Sequence, residues 1–172
     1  MGKILETERL LLRQLEVADA PFILELVNEP AWLRFIGDKG IKTIAAAQDY
    51  ILKGPVAMYA RTGFGLWLVE LKAKRTPIGI CGLIKRDSLP DIDLGFAFLA
   101  GYWRNGYAFE SATATILYGQ NSLGLKKIVA VMSPDNQASE RLLEKLGFRF
   151  ERLVRLSDGA PEIKLFERVL TN

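Results

Sequence analysis

Histidine is absent from the 172 residues. That removes imidazole bases, His-containing triads and His-ligated metals, and it leaves proton transfer to carboxylates, hydroxyls or water. Cysteine occurs once, at Cys81, so no intrachain disulfide can form and no cysteine cluster can hold zinc; no metal is expected. No apolar run approaches the roughly 20 residues needed to cross a bilayer. The opening Met-Gly-Lys-Ile-Leu-Glu-Thr-Glu-Arg also lacks the apolar centre of a signal peptide, so a cytoplasmic protein without a membrane partner is expected. Charge of one sign is scarce: 23 basic against 20 acidic residues leave +3. That balance is compatible with an anionic ligand but too small and too evenly spread to argue for nucleic acid. Two nucleotide-loop patterns, G-x-G-x-x-G and G-x-x-x-x-G-K-[ST], do not occur.

What is present describes an ordinary globular protein, with 49% hydrophobic and 25% charged residues. The length suits one domain, residues 1–172, with a core of its own. The most informative stretch runs from Asp91 to Ala108. Ile92, Leu94, Phe96 and Phe98 alternate with Asp93, Gly95 and Ala97, which predicts a strand. A loop with Gly101 and Gly106 follows, then a helix starting near Gly106 or Tyr107. Strand, basic glycine-bearing loop and helix N-terminus together make an anion site, because unpaired first-turn amides and the helix dipole both favour negative charge. The same residues also suit a plain strand-to-helix turn in which glycine only permits the bend.

Along the rest of the chain, Thr7 to Leu15 predicts a first strand. Asp19 is placed to cap a helix with Pro21 in its first turn and Phe22, Ile23, Leu26 and Val27 on one face; Pro30 ends it. Thr43 caps a second helix that Gly54-Pro55 stops. Gly65 to Leu71, Ile78 to Lys85 and the Asp91 strand form an antiparallel meander. A helix to about Ser122, with Ala112, Ile116 and Leu117 inward, precedes a buried strand at Lys127 to Met132. A helix from Gln137 to Leu146 and a final hairpin, Phe148 to Leu156 with Ile163 to Leu170, complete the order. The fold class is therefore α/β (α+β): a mixed, mostly antiparallel central sheet with helices on both faces.

Several motifs carry a resemblance. Gly106 and Ala108 fit the phosphate-loop pattern [QR]-x-x-G-x-[GA], with Trp103 where Gln or Arg is usual. Thr7 to Arg13, Gly63 to Trp67, Ile78 to Leu83 and Asn136 to Phe148 add four further matches across nearly the whole chain. The sequence resembles the GNAT superfamily of N-acetyltransferases, on the branch of the ribosomal-protein alanine N-acetyltransferases. The resemblance implies a GNAT fold, acetyl-CoA as donor and direct transfer to an amine. It implies that Phe98 and Leu99 offer main-chain groups to the cofactor arm and that Trp103, Arg104, Asn105, Gly106, Tyr107 and Ala108 hold the pyrophosphate. Asn136 matches a cofactor-arm position and is equally a helix cap. Many relatives place a tyrosine acid where this chain has Leu143; in this branch Ser139 stands near the thioester sulfur, and is otherwise a first-turn serine. Asp93 is a candidate base through a water, or a solvent-facing strand residue. Trp32, Arg34, Phe35 and Tyr50 fall on the segments that form acceptor pockets, where they either grip an amine or a peptide N-terminus or pack. Glu110 reads as a helix-dipole partner and Cys81 as core, while Arg141 and Lys145, four apart on one helix face, either meet the cofactor's remaining phosphate or form a solvated face. A homodimer is compatible with the resemblance, and a silent acyl-CoA-binding module acting through a partner is the alternative to an enzyme.

Overall fold

The computed structural model describes residues 2–171. Its strands are β1 (Lys3–Glu6), β2 (Leu10–Gln14), β3 (Leu66–Leu71), β4 (Thr76–Ile84), β5 (Asp93–Phe98), β6 (Lys127–Met132), β7 (Arg149–Val154) and β8 (Ile163–Val169). They form one sheet in the order β1-β2-β3-β4-β5-β6-β8-β7, antiparallel at every junction except β5–β6. Helices α1 (Ala20–Val27), α2 (Pro30–Phe35), α3 (Ile44–Ile51) and α4 (Ala57–Thr62) precede β3; α5 (Tyr107–Asn121) and α6 (Gln137–Lys145) follow β5 and β6. No helix among the described residues is long and apolar enough to cross a membrane.

Two cores sandwich the sheet, as the pattern predicts. One gathers Leu12, Trp67, Cys81, Leu94, Ile116, Leu143 and Phe166, under α5 and α6. The other gathers Leu15, Ile23, Leu26, Ile51, Leu68 and Ile80, under α1 and α3. Thr43 caps α3 as expected, its side chain accepting from the Ala46 amide at 3.1 Å.

The differences have local causes. β1 was not expected; a bulge between Lys3 and Leu5 interrupts its pairing with β2 and hides the two-residue period. Pro30 opens α2 rather than closing α1, since a first-turn residue needs no N–H. Gly54-Pro55 does not stop the second helix. The chain widens into a π-helical turn over Leu52–Val56, which absorbs the missing proline N–H and carries on into α4. Leu117 is 50% exposed, because α5 buries the small residues Ser111, Ala112, Thr115 and Gly119 with Ile116.

Asp19 sits at the N-cap of α1 without bonding the helix amides. Its carboxylate instead takes Arg13 Nη1 at 2.9 Å, Arg13 Nη2 at 2.8 Å and the Glu16 amide at 2.8 Å. Arg13 Nε also reaches buried Glu70 at 3.1 Å, and Arg75 closes on the other Glu70 oxygen at 2.7 Å. Removing the central cation strands the buried Asp19 carboxylate and leaves Glu70 with Arg75 as its one remaining cation among the described residues. Arg13→Met should therefore lower unfolding free energy by about 3–5 kcal/mol, read from urea denaturation at neutral pH.

Candidate active site

β5 and β6 run parallel but share a single register pair, Asp93 with Val129, beside which the Val129 amide donates to Ile92 O at 3.0 Å. Past that rung the two strands are not paired, leaving a gap in the sheet. The Leu99 amide donates to Ile78 O of the β4 side at 2.9 Å. Strand alternation therefore turns the main-chain N–H and C=O of Phe96 and Phe98 away from β4, towards the gap. Leu99, expected to offer its main chain to a ligand, spends its N–H inside the sheet. Phe96 takes its place. The Phe98 carbonyl accepts from Trp103 Nε1 at 2.9 Å, which ties the following loop to the strand end.

That loop reverses through two left-handed residues, Arg104 (φ 63°) and Gly106 (φ 82°), the second serving as N-cap of α5 without any side-chain cap. The first-turn amides of α5 are thus left for an outside acceptor. Asn105 braces the turn from within, its Nδ2 donating to Tyr102 O at 3.2 Å and Trp103 O at 3.0 Å. Arg9 braces it from outside: Nη1 donates to Asn105 O at 2.9 Å and the guanidinium lies 4.5 Å from the Tyr107 ring centroid. Arg9 Nε in turn holds Glu110 at 2.7 Å, and Thr7 Oγ1 meets the same carboxylate at 2.5 Å. Burial works against the Glu110 charge, but bonds from Thr7 and Arg9 outweigh it and hold this carboxyl below its ordinary range. Glu110 is a tether between the β1–β2 turn and the loop helix.

Two cavities open on the gap. The larger, about 430 Å³, is lined by Phe98, Trp103, Arg104, Gly106, Tyr107, Ala108, Leu142 and Lys145, among others. Lys145 faces this cavity with its ammonium 4.3 Å from the Phe109 ring centroid, so it is not simply a solvated-face residue; Arg141 is exposed. The smaller, about 310 Å³, is lined by Tyr50, Met58, Ile80, Ile84, Arg86 and Asp93, with Lys39 among its other residues. Trp32, Phe35, Phe96, Ala97, Asn136 and Ser139 line both. The two cavities therefore share a wall at the split.

Asp93 is 1% exposed and lies against Arg86 Nε, so it is not a solvent-facing strand residue. Burial pushes its carboxyl above the ordinary value, and the Arg86 cation opposes that only in part. Asn136 accepts from the Ser139 amide at 3.2 Å, which realises the helix-cap reading. Trp32 is buried, and its Nε1 has no hydrogen-bond partner among the described residues. Arg34, expected on the acceptor side, lines neither cavity. It projects outward, 4.7 Å from the Phe35 ring centroid, and reaches Asp135 at 3.3 Å with both side chains exposed. Cys81 is core, 3.5 Å from Thr115 Oγ1, and burial pushes its thiol up to about 11. Arg86 is the residue that sequence reasoning missed: it stands in a polar turn with no motif around it.

Residues 9–149 match the profile of the acetyltransferase (GNAT) domain. The chain belongs to the GNAT family. Over 167 residues it is 34% identical to the uncharacterized N-acetyltransferase YoaA of Bacillus subtilis, covering 94% of this chain and 93% of that one. An acetyltransferase from Agrobacterium tumefaciens superposes with a TM-score of 0.83 at 26% identity, over 99% of this chain and 95% of the other. The fold also matches RimL, a ribosomal L7/L12 α-N-protein acetyltransferase solved with coenzyme A, at a TM-score of 0.83 and 15% identity over 98% of each chain. This GNAT protein is accordingly an N-acetyltransferase.

The buried acid of this GNAT domain has a consequence for stability. Folding raises the Asp93 pKa above its unfolded value near 3.8. Stability from this group is thus full below that pH and is lost as pH rises through the folded value. Asparagine does not ionise. Asp93→Asn should gain on the wild type as pH rises above the unfolded value, seen as a urea midpoint difference that moves in the variant's favour as pH increases.

Proposed function

We propose that the protein transfers acetyl from acetyl-CoA directly to a primary amine, either on a small molecule or at a protein N-terminus. The observation that carries this reading is the gap between β5 and β6, with unpaired main-chain groups of Phe96 and Phe98 on one side and an uncapped helix N-terminus at its end. An extended arm bearing amides suits the first feature, and a pyrophosphate suits the second. The larger cavity between them supports the same ligand.

Acetyl-CoA supplies an acetyl group already activated as a thioester. Arg104, Gly106, Tyr107 and Ala108 hold the pyrophosphate, with Lys145 as a second cation, while Trp103 and Asn105 keep the loop in shape. Phe96 and Phe98 take the arm by their main-chain groups, and a strand N–H fixed in this way is the donor for the thioester carbonyl oxygen. Asn136 orients the start of α6, from which the Ser139 hydroxyl hydrogen-bonds the departing sulfur. Leu143, at the position where many relatives carry tyrosine, is buried among apolar side chains and moves no proton. Asp93 takes the proton from the incoming ammonium through a water. Its raised pKa narrows the gap to an amine of pKa about 8 to 10, which is what a base working near neutrality requires. Trp32 and Phe35 wall the acceptor side.

Acetyl-CoA titrated by calorimetry should bind the wild type saturably, and the Arg104→Ala, Gly106→Asp double variant should bind about tenfold to hundredfold more weakly. Unchanged binding would remove the loop assignment. In a free-thiol release assay with amines and N-terminal peptides, Asp93→Asn should lose about 10²- to 10⁴-fold in kcat with donor affinity retained. A smaller loss in kcat for Ser139→Ala is expected in the same assay.

A further inference from the structure

The smaller cavity holds charges that a plain amine site does not need. Among the described residues, Asp93 is the only carboxylate on its wall, against two cations, Arg86 and Lys39. Asp93 is also already committed to Arg86 Nε. The terminal nitrogens of Arg86 make no hydrogen bond among the described residues, and its side chain is 34% exposed. A guanidinium presents its remaining N–H groups as a planar fork suited to a carboxylate. Much of the remaining wall is apolar, from Ile36, Pro55, Met58, Leu66, Ile80 and Ile84, and the neutral Ser133, Asn136 and Ser139 on the side towards α6 carry no charge to pair with a cation. One further polar group faces this pair. Tyr50 lines the same wall close enough to feel the Arg86 charge, and its phenol is kept protonated by burial. It is therefore a hydrogen-bond donor.

We propose that Arg86 selects the acceptor: the amine carries a carboxylate within the same small molecule, with the ammonium at the Asp93 end of the gap and the carboxylate on the free Arg86 fork. This deepens the amine-acetylation reading above and rests on it. A polyamine fits poorly, since each further ammonium would meet Arg86 and Lys39 with no acid to receive it. An uncharged alkylamine tail leaves the guanidinium fork unused. Tyr50 donates to the same carboxylate, and Lys39 attracts it at longer range. Arg86 is thus a specificity residue, acting on the substrate's far end rather than on the reacting atoms.

The test pairs each carboxylate-bearing amine with its decarboxylated analogue: alanine with ethylamine, leucine with isopentylamine, and a series of ω-amino acids of increasing length with the matching alkylamines. Spermidine is included as the polycation. Binding by calorimetry and kcat/KM by thiol release are measured for wild type, Arg86→Gln and Arg86→Lys; the lysine keeps a cation beside Asp93 if the glutamine variant folds poorly. The expected result is that the wild type favours the acid over its analogue by at least about tenfold, mostly in KM, and that Arg86→Gln abolishes this ratio. Arg86→Lys should restore part of it. Equal or better use of the decarboxylated amines or spermidine by the wild type overturns the proposal, as does an Arg86→Gln effect that falls equally on both members of each pair. If no acceptor turns over, the calorimetric preference still decides Arg86, while the transfer reading itself fails separately.

Discussion

Everything at this site depends on a hydrogen-bond deficit in the middle of the sheet. Main-chain N–H and C=O groups inside a protein have to be paired, and a central strand ordinarily pairs on both edges. β5 does so on the β4 side throughout, but on the β6 side only at the Asp93–Val129 rung. Trp103 satisfies one of the remaining acceptors, the Phe98 carbonyl. The rest is an open strand edge within the protein, protected from other chains by the helices on both faces. An edge of this kind can be completed by a ligand that carries its own amides.

The parts around the gap are fixed by bonds that come from far away in sequence. Arg9 and Thr7, in the β1–β2 turn, grip Glu110 and Asn105 and so anchor the loop ahead of α5. On the opposite face the π-helical turn at Leu52–Val56 keeps α3 and α4 nearly continuous, which brings Tyr50, Pro55 and Met58 onto one cavity wall. A clean break at Gly54-Pro55 would have separated them. Arg13 fastens the start of α1 to the sheet through Asp19 and Glu70.

Most of the fold was legible because two-residue and four-residue hydrophobic periods are strong along this chain, and Thr43, Gly124 and Gly147 punctuate it as their chemistry suggests. What escaped depended on partners. β1 is an edge strand whose bulge breaks its period, and Pro30 opens rather than ends a helix because α1 has already stopped two residues before it, ahead of Asn28 and Glu29. At the site, the Gly106 turn between a strand and a helix was readable from its glycines and the apolar pattern on either side. Whether Leu99 or Phe96 faces the gap was not, since that parity is set by the register with β4. Arg34 looked like a pocket residue by position, yet its guanidinium turns outward to Asp135. Arg86 carried no signal, because only folding brings it to Asp93.

The Trp103 indole fixes the end of β5 relative to the loop, and Asn105 with Arg9 keeps that loop from flexing. Open strand edge and anion cradle are thus two stations at a set separation. A molecule that occupies both is gauged by the length of its connecting arm, whatever that arm is made of. On the proposed reading, a carrier with a shorter arm would reach one station and miss the other, and the spacing itself would work as a filter on the donor.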